Sequence, residues 1–199
     1  MLPPLGKYRF EIFQSSVLSA VEEATFTRQS LTVLRKATEG YTKHSIVAAL
    51  DAEGRISTIS VNYSSHLFKR DANYRTDGEV FRGSVSTVAG RNEIVIKLGR
   101  FGEVEVAGVV AFRMLILAHV LERGQPRWTG RVAVIDPSGL AAASLKQTCR
   151  LGRTQNLWTY EARMGDTEEI EIDDAGRILM CRGQDRTGSK LVSFEAAEP

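Results

Sequence analysis

Apolar and polar residues alternate one by one in run after run along this chain. That period of two constrains the fold more than any other feature. Tyr8, Phe10 and Ile12 alternate with Lys7, Arg9 and Glu11; Ile59, Val61 and Tyr63 alternate with Ser60, Asn62 and Ser64. Ile170 and Ile172 alternate with Glu169, Glu171 and Asp173, and Trp158 and Tyr160 face away from Thr159 and Glu161. Ile94 and Ile96 flank Val95 in a short apolar run. Successive strand residues point to opposite faces, so these runs read as strands with one buried face. Turn residues separate them. Asp77-Gly78 is a two-residue hairpin signal, followed by the turns Ala89–Asn92 and Gly99–Gly102. Strands punctuated roughly every 8–12 residues predict a large antiparallel sheet of about eleven strands.

A short repeat sharpens three of the hairpins. Asp51-Ala-Glu-Gly54-Arg55-Ile56 resembles Asp173-Asp-Ala-Gly176-Arg177-Ile178, and Asp136-Pro-Ser-Gly139-Leu140 is a weaker third copy. Each follows an aliphatic strand end: Leu50, Ile172 or Ile135. The Asp side chain can accept from the backbone two residues ahead, and the two central residues form a type I turn. Gly then takes the positive φ that opens the return strand with a bulge.

One segment breaks the pattern. Val109, Phe112, Leu115, Ile116, His119 and Val120 fall at helical spacing between 109 and 123, and Gly124 and Pro126 stop the run. Ser16–Glu23 reads as either a short helix or a strand, and Ala141–Lys146 as a strand. Twist accumulates across a large antiparallel sheet and curls it. The expected fold is therefore mainly β: a single domain, core roughly 7–195, with a bent antiparallel half-barrel around an apolar cavity. The 109–123 helix is packed in its opening.

This layout resembles the unclosed β-barrel of bacterial lipoprotein carriers of the LolA/LolB type. The likeness rests on the strand meander, the strand–Asp-x-x-Gly–strand units at 51–54, 136–139 and 173–176, and a helix late in the chain. It implies a concave apolar lumen that holds a hydrophobic ligand. The same scaffold serves small cofactor-free enzymes, so fold alone does not choose between these uses.

Composition excludes several classes. Twenty-six Lys and Arg against 24 Asp and Glu leave a net charge of +2, too even for a nucleic-acid partner. The longest apolar stretch, Val104–Leu121, is interrupted by Glu105, Arg113 and His119, so no membrane span is expected. Cys149 and Cys181 have no metal-binding spacing and read as two thiols in a reducing compartment. The segment beginning Met-Leu-Pro-Pro-Leu-Gly-Lys lacks an export signal. The expected location is cytoplasmic, or periplasmic if a signal has been removed. Dinucleotide, Walker, HExxH and GxSxG motifs are absent, and no cofactor is expected.

The chemistry left is sparse. His44 and His66 flank the Asp51–Gly54 turn, and counting outward from it places His44 opposite Tyr63. With Asp71 and Tyr74, these residues form a candidate acid–base cluster at one end of the sheet, or else they are surface histidines. Arg127 and Arg131 border Trp128 in the strand after the helix, where a guanidinium pair could hold a carboxylate at the cavity mouth or pair across strands. A ligand between helix and sheet would touch Phe112, Leu115, Ile116, Trp128, Arg131 and Trp158; alternatively the apolar members close-pack into a dry core. Two functions follow: a carrier of a small hydrophobic molecule, or a cofactor-independent lyase, isomerase or hydrolase acting on a hydrophobic or aromatic acid.

Overall fold

The two strongest Asp-x-x-Gly turns show how this chain builds a sheet. In the computed structural model Asp51 Oδ1 accepts the backbone N–H of Glu53 at 3.0 Å and of Arg55 at 2.8 Å. Asp173 Oδ1 does the same for Ala175 and Arg177. Gly54 and Gly176 both have φ +78°. In each return strand one extra residue, Ser57 or Leu179, is bulged out of the register. The third copy differs. Asp136 N–H bonds the carbonyl of Ala141, one residue further than the Asp51–Arg55 closure, so the positive φ falls on Leu140 (+58°) and not on Gly139. The fully buried Leu140 side chain anchors that conformation in the core.

The structure describes residues 2–197 except 78, 88, 89, 100, 101, 155, 164 and 165. The predicted hairpin glycine Gly78 and parts of the turns at 89–92 and 99–102 therefore lie outside the described residues. Strands β1 (Gly6–Gln14), β2 (Val17–Phe26), β3 (Ser30–Ala37), β4 (Lys43–Leu50), β5 (Ile56–Ser64), β6 (Lys69–Asp77), β7 (Val80–Thr87) and β8 (Gly90–Lys97) pair in succession. β9 (Glu103–Val106) leads through α1 (Val110–Glu122) into β10 (Arg127–Ile135). β11 (Ala142–Leu151), β12 (Leu157–Arg163), β13 (Asp166–Ile172), β14 (Ile178–Gly183) and β15 (Gly188–Ala196) again follow in succession. β15 pairs with β1, joining both halves into one fifteen-stranded sheet that runs from β8 to β9. Among the described residues only β9 and β10 pair in parallel, and α1 is the crossover that a parallel pair requires. The sheet is unclosed, and its β8 edge curls round against β11.

The architecture is thus mainly β with one helix, as the alternation predicts, but with fifteen strands and not eleven. Of the segment 16–23, ambiguous in sequence, Ser16 lies in the preceding turn and 17–23 belong to β2. Its inward face is Ala20, Glu22, Ala24 and Phe26, and the buried Glu22 spoils the apolar alternation that identifies a strand.

Inward rows cross the sheet in register. Leu31–Ala48–Ile59–Tyr74 and Val33–Ile46–Val61–Ala72 are buried throughout. They close around α1, in which every residue from Val110 to Val120 is buried. From Val110 to Leu121 the helix is apolar all round apart from Arg113 and His119, and only its last residue, Glu122, is exposed. It is accordingly enclosed by the sheet, where helical spacing alone placed it in the opening.

Candidate functional site

The helix N-terminus has no capping side chain of its own, since its N-cap is Val109. A residue of β2 takes that role. The fully buried Glu22 carboxylate accepts the N–H groups of Val110 at 3.2 Å and Ala111 at 3.0 Å. These donors are among the unsatisfied groups of any helix start, and the positive end of the helix dipole favours a carboxylate there. Burial pushes the Glu22 pKa up, against the opposing pull of Arg35, the two N–H groups and Arg113.

Arg35 faces Glu22 across the β2–β3 ladder and donates from Nη1 to the Gly108 carbonyl at 2.7 Å. Arg113, one turn into the helix, pairs through Nη1 with Glu168 and through Nε with Glu105 at 3.5 Å. Burial works against the Arg113 charge, but Glu168 and Glu105 outweigh it and hold the guanidinium protonated. Glu105 also accepts Gln147 Nε2 at 2.7 Å, and the Tyr160 hydroxyl bonds the Gln147 side-chain carbonyl 3.3 Å from Glu105.

Above this network opens a cleft of about 340 Å³, lined by apolar Ile12, Phe13 and Val110 and by polar Arg35, Arg113 and Ser189, among others. Such a lining suits a ligand that is part apolar and part polar. Cys181 also lines it, but burial pushes that thiol up to about 11 and leaves it un-ionised at neutral pH. Both cysteines are free and buried.

The inward residues of the mouth form one row across five strands: Glu22, Arg35, His44, Tyr63 and Arg70. The expected pairing of His44 with Tyr63 is therefore seen, with ring centroids 5.0 Å apart. His66 lies exposed in the β5–β6 turn, 5.2 Å from the Tyr41 ring. Tyr74 lies two inward rows deeper, stacked on Phe81, and its hydroxyl donates to the Leu140 carbonyl. Burial pushes its pKa up to about 12. His44 and Tyr63 thus share the mouth row, His66 lies on the exposed turn beyond it, and Tyr74 is separated from all three.

Burial, followed by the Arg35 charge, pushes His44 down to about 4; the Pro137 backbone and Asp136 act the other way. An unfolded histidine takes up its proton near pH 6.5, whereas the folded one takes it up only near 4. The stability linked to His44 is therefore complete above about pH 6.5 and is lost as the pH falls toward about 4. Denaturant titrations between about pH 7 and 4 should show roughly 1–3 kcal/mol of acid destabilisation in the parent that His44→Gln lacks. Identical pH profiles for the two proteins would refute the assignment.

Of the residues expected around a ligand, Phe112, Leu115 and Ile116 are at most 1 % exposed, and Trp128 and Trp158 are buried. Trp128 lies flat over Gly130, where a Cβ would strike the indole. Arg131 is exposed on the outer face, in register with Lys146.

The opposite end of the helix holds a second buried polar group. His119 Nδ1 lies 3.1 Å from both carboxylate oxygens of Glu103, and Arg123 Nη2 lies 3.7 Å from one of them. His119 Nε2 is buried and makes no hydrogen bond. Glu103 also lines a cleft of about 170 Å³ beside the Asp51 turn.

Sequence reasoning singled out none of Glu22, Arg35, Glu103, Glu168 or Ser189 as site residues. The available signal was charge inside apolar runs: Glu103 and Glu105 in β9, and Arg113 and His119 in α1. Among the described residues no cluster of three metal-ligating side chains occurs, and no helix is long and apolar enough to cross a membrane.

No family model matches the chain, and no curated protein matches it. A solved structure does: a DUF1089 family protein from Pseudomonas aeruginosa is similar in fold, with a TM-score of 0.58 and 15 % sequence identity over 82 % of this chain and 89 % of the other.

Proposed function

We propose that the protein binds or carries a small hydrophobic molecule that bears a polar or anionic group. The observation behind this reading is the cleft at the helix N-terminus, where Arg35 stands beside Ile12, Phe13 and Val110, and where Arg113 is already paired with Glu168. Guanidinium groups offer a planar fork to a carboxylate or phosphate, and the apolar wall takes the attached chain. An unclosed sheet wrapped on a helix fits the resemblance to LolA/LolB-type carriers, which belongs to the same proposal. Native mass spectrometry of the purified protein should reveal an amphipathic ligand, and a fatty-acid probe should bind. Arg35→Ala should weaken that probe at least about tenfold with the fold retained. Equal affinity in parent and variant would remove the mouth as the site.

A second reading, a cofactor-independent enzyme, is favoured by one arrangement. The Glu103 carboxylate, which lines a small cleft, bonds His119 Nδ1 and orients the ring, the acid–imidazole pairing that acid–base catalysis uses.

A further inference from the structure

The loop tips beside the mouth expose apolar side chains. In the β5–β6 turn Leu67 is 89 % exposed and Phe68 40 %, and in the neighbouring β3–β4 turn Tyr41 is 54 % exposed. A leucine held almost wholly in water gains nothing for the fold. The surrounding rings brace the tip: Tyr41 packs on His66 at 5.2 Å, Tyr63 on Phe68 at 5.4 Å, and the Arg70 guanidinium sits 4.5 Å over the Phe68 ring. Behind the tip the outward row Lys36–Lys43–Ser64–Lys69 crosses four strands in register. Residues 36–43 and 64–71 together carry Lys36, Lys43, Lys69 and Arg70 against two carboxylates, Glu39 and Asp71.

We infer that this tip docks on the surface of an anionic lipid bilayer. Leu67, Phe68 and Tyr41 enter the interface while Lys43, Lys69 and Arg70 meet the headgroups. Three features select a bilayer over a protein partner. The apolar residues form a convex tip, whereas a protein anchor needs a matching pocket. Aromatic rings with one wet edge favour the headgroup level. The ring of cations complements an anionic surface, each adding attraction that salt screens. Docking here would bring the Tyr63–Arg70 end of the mouth row toward the bilayer. The inference does not depend on what the cleft holds.

The test uses the full chain and vesicles of phosphatidylcholine, with and without about one-third phosphatidylglycerol. Co-sedimentation should occur with the anionic vesicles, weaken at least about tenfold as salt rises from roughly 0.1 to 0.5 M, and be weak on phosphatidylcholine alone. Leu67→Glu should lower the partition at least about tenfold, and Lys43→Glu with Lys69→Glu similarly, both with an unchanged circular dichroism spectrum. Leu67→Trp should show a blue-shifted emission component only when anionic vesicles are present. Absence of vesicle binding, binding unaffected by Leu67→Glu, or a tip that captures only an acidic protein would each overturn the inference. Loss of vesicle binding with fatty-acid affinity intact would separate this surface from the ligand site.

Discussion

Arg113→Ala should lower the unfolding free energy by about 3–5 kcal/mol, the cost of leaving buried charge uncompensated. Arg113 is only 9 % exposed and lies between two carboxylates, Glu105 and Glu168, of which Glu105 is almost completely buried. Removing the guanidinium leaves the buried Glu105 without its counter-charge and takes one ion-pair partner from Glu168. Glu105 keeps its bond from Gln147 Nε2, but one neutral donor does not replace a cation. Urea denaturation at neutral pH measures the loss. The pattern across variants is more diagnostic than its size. Because the defect is unpaired negative charge, Arg113→Met combined with Glu105→Gln and Glu168→Gln should recover a large part of it. An Arg113→Ala protein within about 1 kcal/mol of the parent would show that water already shields these groups.

The same residue shows how far the sequence could be read. The alternation at Ile59–Ser64 and at Ile170–Asp173 identifies strands because one face of each is buried and the other is wet. The Asp51 and Asp173 turns are legible because their hydrogen bonds are local and need only an Asp, a glycine and their spacing. Strand β2 is illegible because its inward Glu22 is satisfied by a helix start nearly ninety residues away. The mouth row behaves the same way. Each of its five residues looks like an ordinary surface polar residue, and only the pairing of five strands puts them on one inner edge. His44 and Tyr63 were within reach because one short hairpin joins them.

The charges in the apolar run 104–121 carried more information than their use as an argument against a membrane span. Glu105, Arg113 and His119 sit where an isolated charge is costly, so each needs a partner. Glu105 and Arg113 find each other, and His119 finds Glu103. Charges within an apolar segment are thus a sequence-level mark of a buried network, although spacing does not say which partners close it. The enclosure of α1 follows from the same composition. An apolar helix without a wet face must be covered on every side, and fifteen strands rather than eleven supply the cover.

Leu115→Ala should cost about 2–5 kcal/mol, the range for deleting a fully buried leucine whose surroundings relax only partly. Leu115 is 1 % exposed in the middle of α1, among Met114, Ile116 and the inner rows of the sheet. This substitution also decides between two places for a ligand. Leu115 is not among the residues that line the mouth cleft, whereas Val110 and Arg113 are. If the ligand sits in that cleft, fatty-acid affinity per folded molecule should stay within about twofold of the parent while stability falls. If it lies between helix and sheet against Phe112, Leu115, Ile116, Trp128 and Trp158, the added space must change affinity, and tryptophan emission must respond to the probe. Arg35→Ala predicts weakened binding, with a stability cost set by the buried Glu22 carboxylate it faces and the Gly108 carbonyl it bonds. The two variants measured together by calorimetric titration and urea denaturation assign the ligand to one position, because each position moves a different pair of numbers.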